Sequence, residues 1–417
     1  MCLCHQVVTF VVVGLSLSAC ALGSDSGFFL VGHPPGGSLS GVLATSFDGS
    51  ASLGVMDRDN NTQTSFVFDR RTGVRRDVPI PSGYTYLRYN AISGNGRTLV
   101  GYTIPQDNSR QIIVVEQDGV MVQSTPSFPH TSATAEAVSH DGGAFAGRFS
   151  PNDSSLLLPF RWSSTDGYVP LSLFSFHTFC FVEDMSGDGR VVVGSSGRDV
   201  NSEFHAARWW PDGRVEALRP LPGSPFSDPA AYAVSFDGSF VVGSSGAPNF
   251  TSHATRWDAS GTPLDLGVLD GLVRSLAYDI SDDGSVVVGH CNFSNLNVPF
   301  VWTESLGRMV ALSDYLEGHG VAVPAGWRLE YCFAVSGDGM TFGGTAIDTS
   351  GVRMGYVATV PVPGTIVAFA GGVLACFRSR RHGLPIRESD GNACRLQRGP
   401  SCAAPGSLAM PRGIGGE

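Results

Sequence analysis

Ala233-Val234-Ser235-Phe236-Asp237-Gly238-Ser239-Phe240-Val241-Val242-Gly243 is one of seven similar stretches in a chain of 417 residues. The shared core is Ser-x-Asp-Gly closed by a glycine eight residues after the serine. It begins at Ser46, Ser93, Ser139, Ser186, Ser235, Ser281 and Ser336, with Asn95 replacing the aspartate in the second copy. Successive serines lie 47, 46, 47, 49, 46 and 55 residues apart. A period of this length marks one supersecondary unit stacked repeatedly.

Each copy reads as four strands. An apolar pair such as Ala233-Val234 ends the first strand, and Asp-Gly then predicts the two positive-φ positions of a type I′ hairpin turn. A valine-rich second strand ends at the closing glycine, and a loop rich in Asn, Asp and Ser follows. The third strand carries an aromatic core position, filled by Phe68, Trp162, Trp209, Trp257 and Trp302. A second tight turn, such as Asp118-Gly119 or Asp212-Gly213, opens the fourth strand. The expected fold is therefore all-β, a seven-bladed β-propeller of four-stranded antiparallel blades. The seventh copy stops after three strands, near Gly355–Thr359, and its missing fourth strand is expected at Gly27–Val31. That N-terminal strand would complete the last blade and leave no free sheet edge. An open β-solenoid would not account for the split copy.

Composition agrees. The 53 Gly and 25 Pro repeatedly interrupt any helical period, and only 15% of residues are charged. Every basic residue is arginine. Residues 22–377 carry 20 Arg against 34 Asp and Glu, a net of −14, which excludes nucleic acid as a partner. Cys180, Cys291 and Cys332 are the body cysteines and read as buried thiols, with a Cys291–Cys332 bridge as the alternative.

The Ala-x-Ser-x-Asp-Gly-x-x-x-Val-Gly pattern, followed by Arg-Trp, resembles the bacterial extracellular HAF-type repeat. Residues 233–243 with 254–257, and 277–289 with 300–302, carry the resemblance. It implies a secreted or surface protein and brings no catalytic residues.

The ends read as addresses. Residues 1–21 form an export signal around the apolar Val7–Leu17; Ala19-Cys20-Ala21 fits the small-x-small site of ordinary secretion, the favoured reading, while Leu17-Ser18-Ala19-Cys20 resembles a bacterial lipobox and makes Cys20 a candidate lipid anchor. Residues 22–360 are the propeller. Val360-Pro361-Val362-Pro363-Gly364-Thr365, an apolar run to Phe377 and the basic Arg378, Arg380 and Arg381 together resemble a PEP-CTERM sorting signal over 361–381. The resemblance implies an exosortase-type processing enzyme as partner, and transient or anchoring membrane contact through a short transmembrane segment. Residues 382–417 read as a disordered tail. The expected location is the cell surface, outer envelope or extracellular matrix of a Gram-negative-type bacterium.

Chemistry is sparse. Asp57-Arg58-Asp59-Asn60-Asn61 lacks the glycine and glutamate of a calcium loop and reads as a polar surface loop. Two residues before each serine, on the axial strand, the column runs Ala44, Ala91, Ala137, Asp184, Ala233, Asp279, Ala334. Glu136 and Glu183 precede it on blades three and four. These four carboxylates are the candidate axial acidic site. They read as water-facing or Arg-paired acids, with a cation such as calcium or an acid/base pair as the sharper alternatives. No catalytic residue, metal ligand or cofactor is otherwise indicated. Aromatics expected on the long-loop face (Tyr84, Tyr86, Phe176, Phe226, Phe250, Phe293, Trp327) suit glycan or protein contacts. The expectation is a non-catalytic structural or binding module. The alternative is a propeller-type hydrolase or lyase acting on extracellular polysaccharide.

Overall fold

Each Ser-x-Asp-Gly copy builds a hairpin, and each hairpin begins a four-stranded antiparallel sheet. The computed structural model describes residues 26–361, apart from 33–38, 58–62, 153–154, 199–203, 225–228 and 249–250. Six blades are continuous, spanning 40–77, 84–124, 130–170, 179–217, 230–265 and 274–311. Blade seven takes three strands from 327–359, and Gly27–Leu30 pairs as the fourth, from Gly27 opposite Thr359 to Leu30 opposite Tyr356. The first strands touch one another all the way round, blade seven meeting blade one, so the sheet closes into a seven-bladed propeller. The longest serine spacing is explained by a short helix, Leu312–Gly318, between blades six and seven.

The motif is a hydrogen-bond unit before it is a turn. Ser46 is buried; its hydroxyl donates to Asp48 Oδ1 at 3.0 Å and accepts from Ala51 N–H at 3.0 Å. Asp48 Oδ1 also accepts from Ser50 N–H at 2.9 Å. The set recurs in the other copies, as at Ser336, Asp338 and Thr341. It also corrects the expected turn. Gly49 N–H donates to the Ser46 carbonyl at 3.0 Å, and only Gly49, with φ 62°, is left-handed. This is a type I turn followed by a glycine bulge, because the tethered aspartate stays right-handed. Asp118-Gly119, with φ 51° and 83°, is the turn in which both residues are left-handed.

A second regularity lies one turn earlier. In every first strand the register slips by one residue, between Val182 and Asp184 in blade four and at the equivalent pair in the others. The bulged residues are Leu43, Asn90, Glu136, Glu183, Tyr232, Tyr278 and Phe333. The bulge drives a carbonyl against the second strand, and this accounts for the closing glycine. A Cβ on Gly243 would lie 1.8 Å from the Ala230 carbonyl, and one on Gly344 would lie 2.0 Å from that of Tyr331.

The Arg-Trp segment joins neighbours. Arg161 donates to the Gly189 carbonyl of the next blade at 2.7 Å, and Arg256 to that of Gly284 at 2.9 Å. The buried Trp209 and Trp257 indoles donate to Ser172 and Arg219 in the connections between blades. In blade two the position holds Glu116, buried and bonded to Arg76 at 2.7 Å and to the Tyr89 hydroxyl at 3.0 Å. Cys180, Cys291 and Cys332 are free and buried, so the Cys291–Cys332 bridge does not form.

Val360 belongs to the ring. It is 2% exposed, packs in the core beside blade seven, and donates its N–H to Met340. The proposed sorting residues Val362, Pro363, Gly364, Thr365, Arg378, Arg380 and Arg381 lie outside the described residues, as does Cys20. Among the described residues no helix is long and apolar enough to cross a membrane.

Candidate functional site in the axial channel

The inner strands run from the long-loop face to the Ser-x-Asp-Gly turns, and their side chains form layers around the axis. At the turn end the residue after each serine makes a closed ring of backbone hydrogen bonds. Phe47 N–H donates to Gly94, His140 to Gly187, Phe236 to Asp282 and Asp282 to Gly337, while Asn95 bonds His140, Asp188 bonds Phe236 and Asp338 bonds Phe47, all within 2.8–3.0 Å. Four large side chains of this ring meet across the axis. The His140 ring lies 5.3 Å from Phe47 and 5.6 Å from Phe236, and His140 Nδ1 is 3.6 Å from Asp282 Oδ2. Glycines make room for them: a Cβ on Gly94 would lie 2.3 Å from His140, and one on Gly187 would lie 2.2 Å from Phe236. Above this plug is a cavity of about 130 Å³ that Asp184, Asp279, Ala44 and Ala91 help to line.

Asp184 and Asp279 are braces between blades. Asp184 accepts from its neighbour Met185 N–H at 2.7 Å and from Val234 N–H of blade five at 2.9 Å. Asp279 accepts from Ile280 N–H at 2.8 Å and from Val335 N–H of blade seven at 2.8 Å. Burial pushes the Asp184 carboxyl up to about 7 against the pull of those donors. It pushes Asp279 well above the usual carboxylate range, with Asp184 adding to the rise. Each carboxylate already has one donor on each oxygen. Among the described residues no three His, Cys, Asp or Glu side chains gather as a metal site.

The bulge ring above them is divided. On blades two to four, Glu136 accepts from Asn90 at 2.7 Å and Thr134 at 2.7 Å, and lies 3.3 Å from Arg148 Nε. Burial raises its pKa, opposed by Arg148, Thr134 and Arg88. The Arg148 guanidinium also covers the Phe181 ring at 5.4 Å. Glu183 differs, for among the described residues no side chain or N–H binds its carboxylate. The residue is exposed to solvent, yet the protein around its carboxyl, then Glu136 beside it, push its pKa up to about 7 against Arg148. On blades five to seven the ring is aromatic. Tyr232 and Tyr278 lie 5.7 Å apart, and Tyr278 and Phe333 5.3 Å apart. Tyr331 stacks on Phe333 at 5.2 Å, and His290 stacks on Tyr278 at 5.4 Å. Glu183 acts electrostatically on Tyr232, bringing the two halves together.

Of the four acids anticipated, then, two line the open part of the channel and two brace its lower end. Asn90, Arg148, Tyr232, Tyr278 and Phe333 were missed. The column three residues before each serine contains four of the five, Asn90, Tyr232, Tyr278 and Phe333, which carry no charge to single them out. Arg148 follows a closing glycine and carried no signal of its own.

The aromatics expected in long loops divide likewise. Phe176, 86% exposed with φ 69°, and Phe293, 54% exposed, are accessible on that face. Tyr84, Tyr86, Trp327 and Phe293 itself lie in strands rather than loops, Tyr86 stacked on Tyr102 at 5.6 Å. Phe226 and Phe250 lie outside the described residues. A groove of about 1260 Å³ runs along the rim beside Leu269, Leu272, Val298, Val310 and Tyr315. It lies away from the axial carboxylates.

No family profile and no curated protein matches the sequence. Solved structures share the fold. The β-propeller domain of the Trilobed protease from Pyrococcus furiosus is similar over 77% of this chain and 95% of that one, at 12% identity and TM-score 0.51. An oligogalacturonate lyase from Vibrio parahaemolyticus matches over 80% and 93%, at 12% identity and TM-score 0.52. A prolyl endopeptidase matches over 80% of this chain at 13% identity and TM-score 0.52, and this chain spans 51% of it. These likenesses concern the ring itself, which serves proteins of different activities.

Proposed function

We propose that this protein is an exported, surface-associated binding module that admits a glycan to its axial channel from the long-loop face. One observation carries the reading: the bulge ring holds an exposed carboxylate, Glu183, with no hydrogen bond or ion pair among the described residues, electrostatically coupled to Tyr232 at the start of the aromatic arc of Tyr232, Tyr278 and Phe333. Aromatic faces take the C–H faces of sugars, and polar groups on the opposite wall take hydroxyls. The plug at the turn end directs entry to the other mouth. In the same reading, the chain is exported through its N-terminal signal, and an exosortase-type enzyme processes the tail after Pro361.

The rival reading is a polysaccharide hydrolase or lyase, favoured by the raised pKa of Glu183, which suits a general acid or base. It is the weaker of the two because its second carboxylate, Glu136, is held by Arg148, Asn90 and Thr134. A glycan array probed with the intact protein tests the main reading. Binding lost in Tyr278→Leu supports it, and an array with no binding overturns it. Release of reducing ends from a bound polysaccharide, abolished in Glu183→Gln, would establish the rival.

A further inference from the structure

We propose, independently of the glycan reading, that the outer edge of blade two is a self-pairing surface on which a second copy of this chain docks, strand to strand.

Each blade ends in an outer strand with a neighbour on one side only. Such an edge recruits other strands unless it is short, charged, interrupted by proline or covered. Six of the seven outer strands carry a device of this kind. Val74–Asp77 holds Arg75, Arg76 and Asp77, and Arg308–Ala311 opens on an arginine and runs straight into the helix. Gly167–Pro170 and Pro263–Asp265 contain proline, and Val215–Ala217 has 3 residues with a glutamate at its centre. Gly27–Leu30 lies against blade one, where Phe29 packs on Phe68 and Arg75 donates to the Val31 carbonyl at 3.2 Å. Val120–Ser124 has none of these. It reads Val-Met-Val-Gln-Ser, is the longest of the outer strands at 5 residues, and leaves Val120 and Val122 65% and 54% exposed.

Hairpin geometry decides which of its backbone groups are free. The turn is Asp118-Gly119, so the flanking Gln117 and Val120 form a hydrogen-bonded pair, and Val115 and Val122 form the next. Met121 and Gln123 therefore turn their N–H and C=O groups away from the blade. Among the described residues no backbone group of another element meets them there.

This edge is complementary to itself. Two antiparallel copies related by a two-fold axis at Val122 set Met121 opposite Gln123 of the partner subunit, and the free N–H and C=O groups of each satisfy those of the other. Val122 then meets its own counterpart in a non-hydrogen-bonded pair, the closer of the two antiparallel spacings. The strand has no charged side chain to repel its copy, and at the turn Arg97 and Asp118 neutralise each other at 2.7 Å. Pro126, which has no N–H, ends the match just beyond Ser124. The product is one antiparallel sheet running through two blades, with an interface small enough to make the dimer weak and concentration-dependent.

Sedimentation velocity of the intact protein over a series of concentrations tests this. A reversible monomer–dimer equilibrium is expected. Val122→Lys sets two ammonium groups against each other across the axis and should weaken the dimer at least about tenfold, with the melting temperature unchanged. Gln123→Pro removes an outward N–H without touching the bonds to the blade and should weaken it likewise. Val74→Lys, at a comparably exposed valine of blade one, should leave the equilibrium as it is. A protein that stays monomeric at every concentration overturns the inference. So does a dimer that survives Val122→Lys, or one that Val74→Lys disrupts equally.

Discussion

The two ends of the channel are made from the same seven copies but follow different rules. At the turn end the repeat governs almost everything: seven buried serines, a closed ring of backbone hydrogen bonds, and large side chains interleaved with glycines. At the bulge ring the backbone repeats while the side chains do not. Acids and Asn90 stand on one arc, and Tyr232, Tyr278 and Phe333 on another. The difference shows where each kind of information sits. Positions that hold the blades together are uniform because one geometry has to be met seven times. Positions that face the lumen meet no such constraint, so their chemistry is free to serve a ligand.

The sharpest way to break this comparison is to disturb a uniform position. Gly243→Ala places a Cβ 1.8 Å from the Ala230 carbonyl and should cost about 3 kcal/mol or more in urea unfolding. Gly213→Ala, in an open turn with φ 81° and nothing near its Cβ, should cost only about 1 kcal/mol. Equal losses would refute the link between the bulge and the closing glycine.

Next in size is Asp279→Ala, which inserts the residue that five other blades use. It strands Ile280 N–H and Val335 N–H, and a loss of about 2 kcal/mol is expected. An unchanged midpoint would show that the aspartate is a lumen group and not a brace. The plug can be examined by a double-mutant cycle. Gly94→Ala should destabilise the wild type, whose His140 ring occupies that space, and should do so less in a His140→Ala background, with a coupling of about 1 kcal/mol. Additivity would mean that the size alternation is incidental.

The smallest effect falls on the variable ring. The folded pKa of Glu183 is raised to about 7, so the native state holds its proton more tightly than the unfolded chain. Glu183 therefore costs no stability below the unfolded carboxylate range and an increasing amount as pH rises toward and through 7. Glu183→Gln should raise the melting temperature at pH 8 but not at pH 4. A rise that is the same at both would remove the evidence for an unpaired lumen carboxylate.

Much of this was legible beforehand because a ring repeats its local instructions. The serine period gave the blade count, and the split seventh copy showed how Gly27–Leu30 closes the sheet. The turn type differs from expectation, since Asp-Gly alone suits a type I′ turn. What overrides it is the bond from the Ser46 hydroxyl to Asp48, a side-chain link that a dipeptide rule ignores. The bulge was invisible because it leaves no residue signature except the glycine opposite, which was read as the end of a strand. Asp184 and Asp279 stood out in the alanine column, but only the placement of the next blade shows their second oxygens meeting Val234 and Val335.

By itself, then, the sequence determined an all-β ring of seven four-stranded blades, its closure by the N-terminal strand, and an acidic body free of lysine. Hairpin geometry and hydrophobic pattern are local, and seven repetitions make them unambiguous. The partner of each axial carboxylate was decided only by tertiary structure. Residues about 50 positions apart in sequence become neighbours when the ring closes, as Asp184 does with Val234. That closure turns two acids into braces, pairs a third with arginine, and leaves Glu183 with no hydrogen bond or ion pair among the described residues.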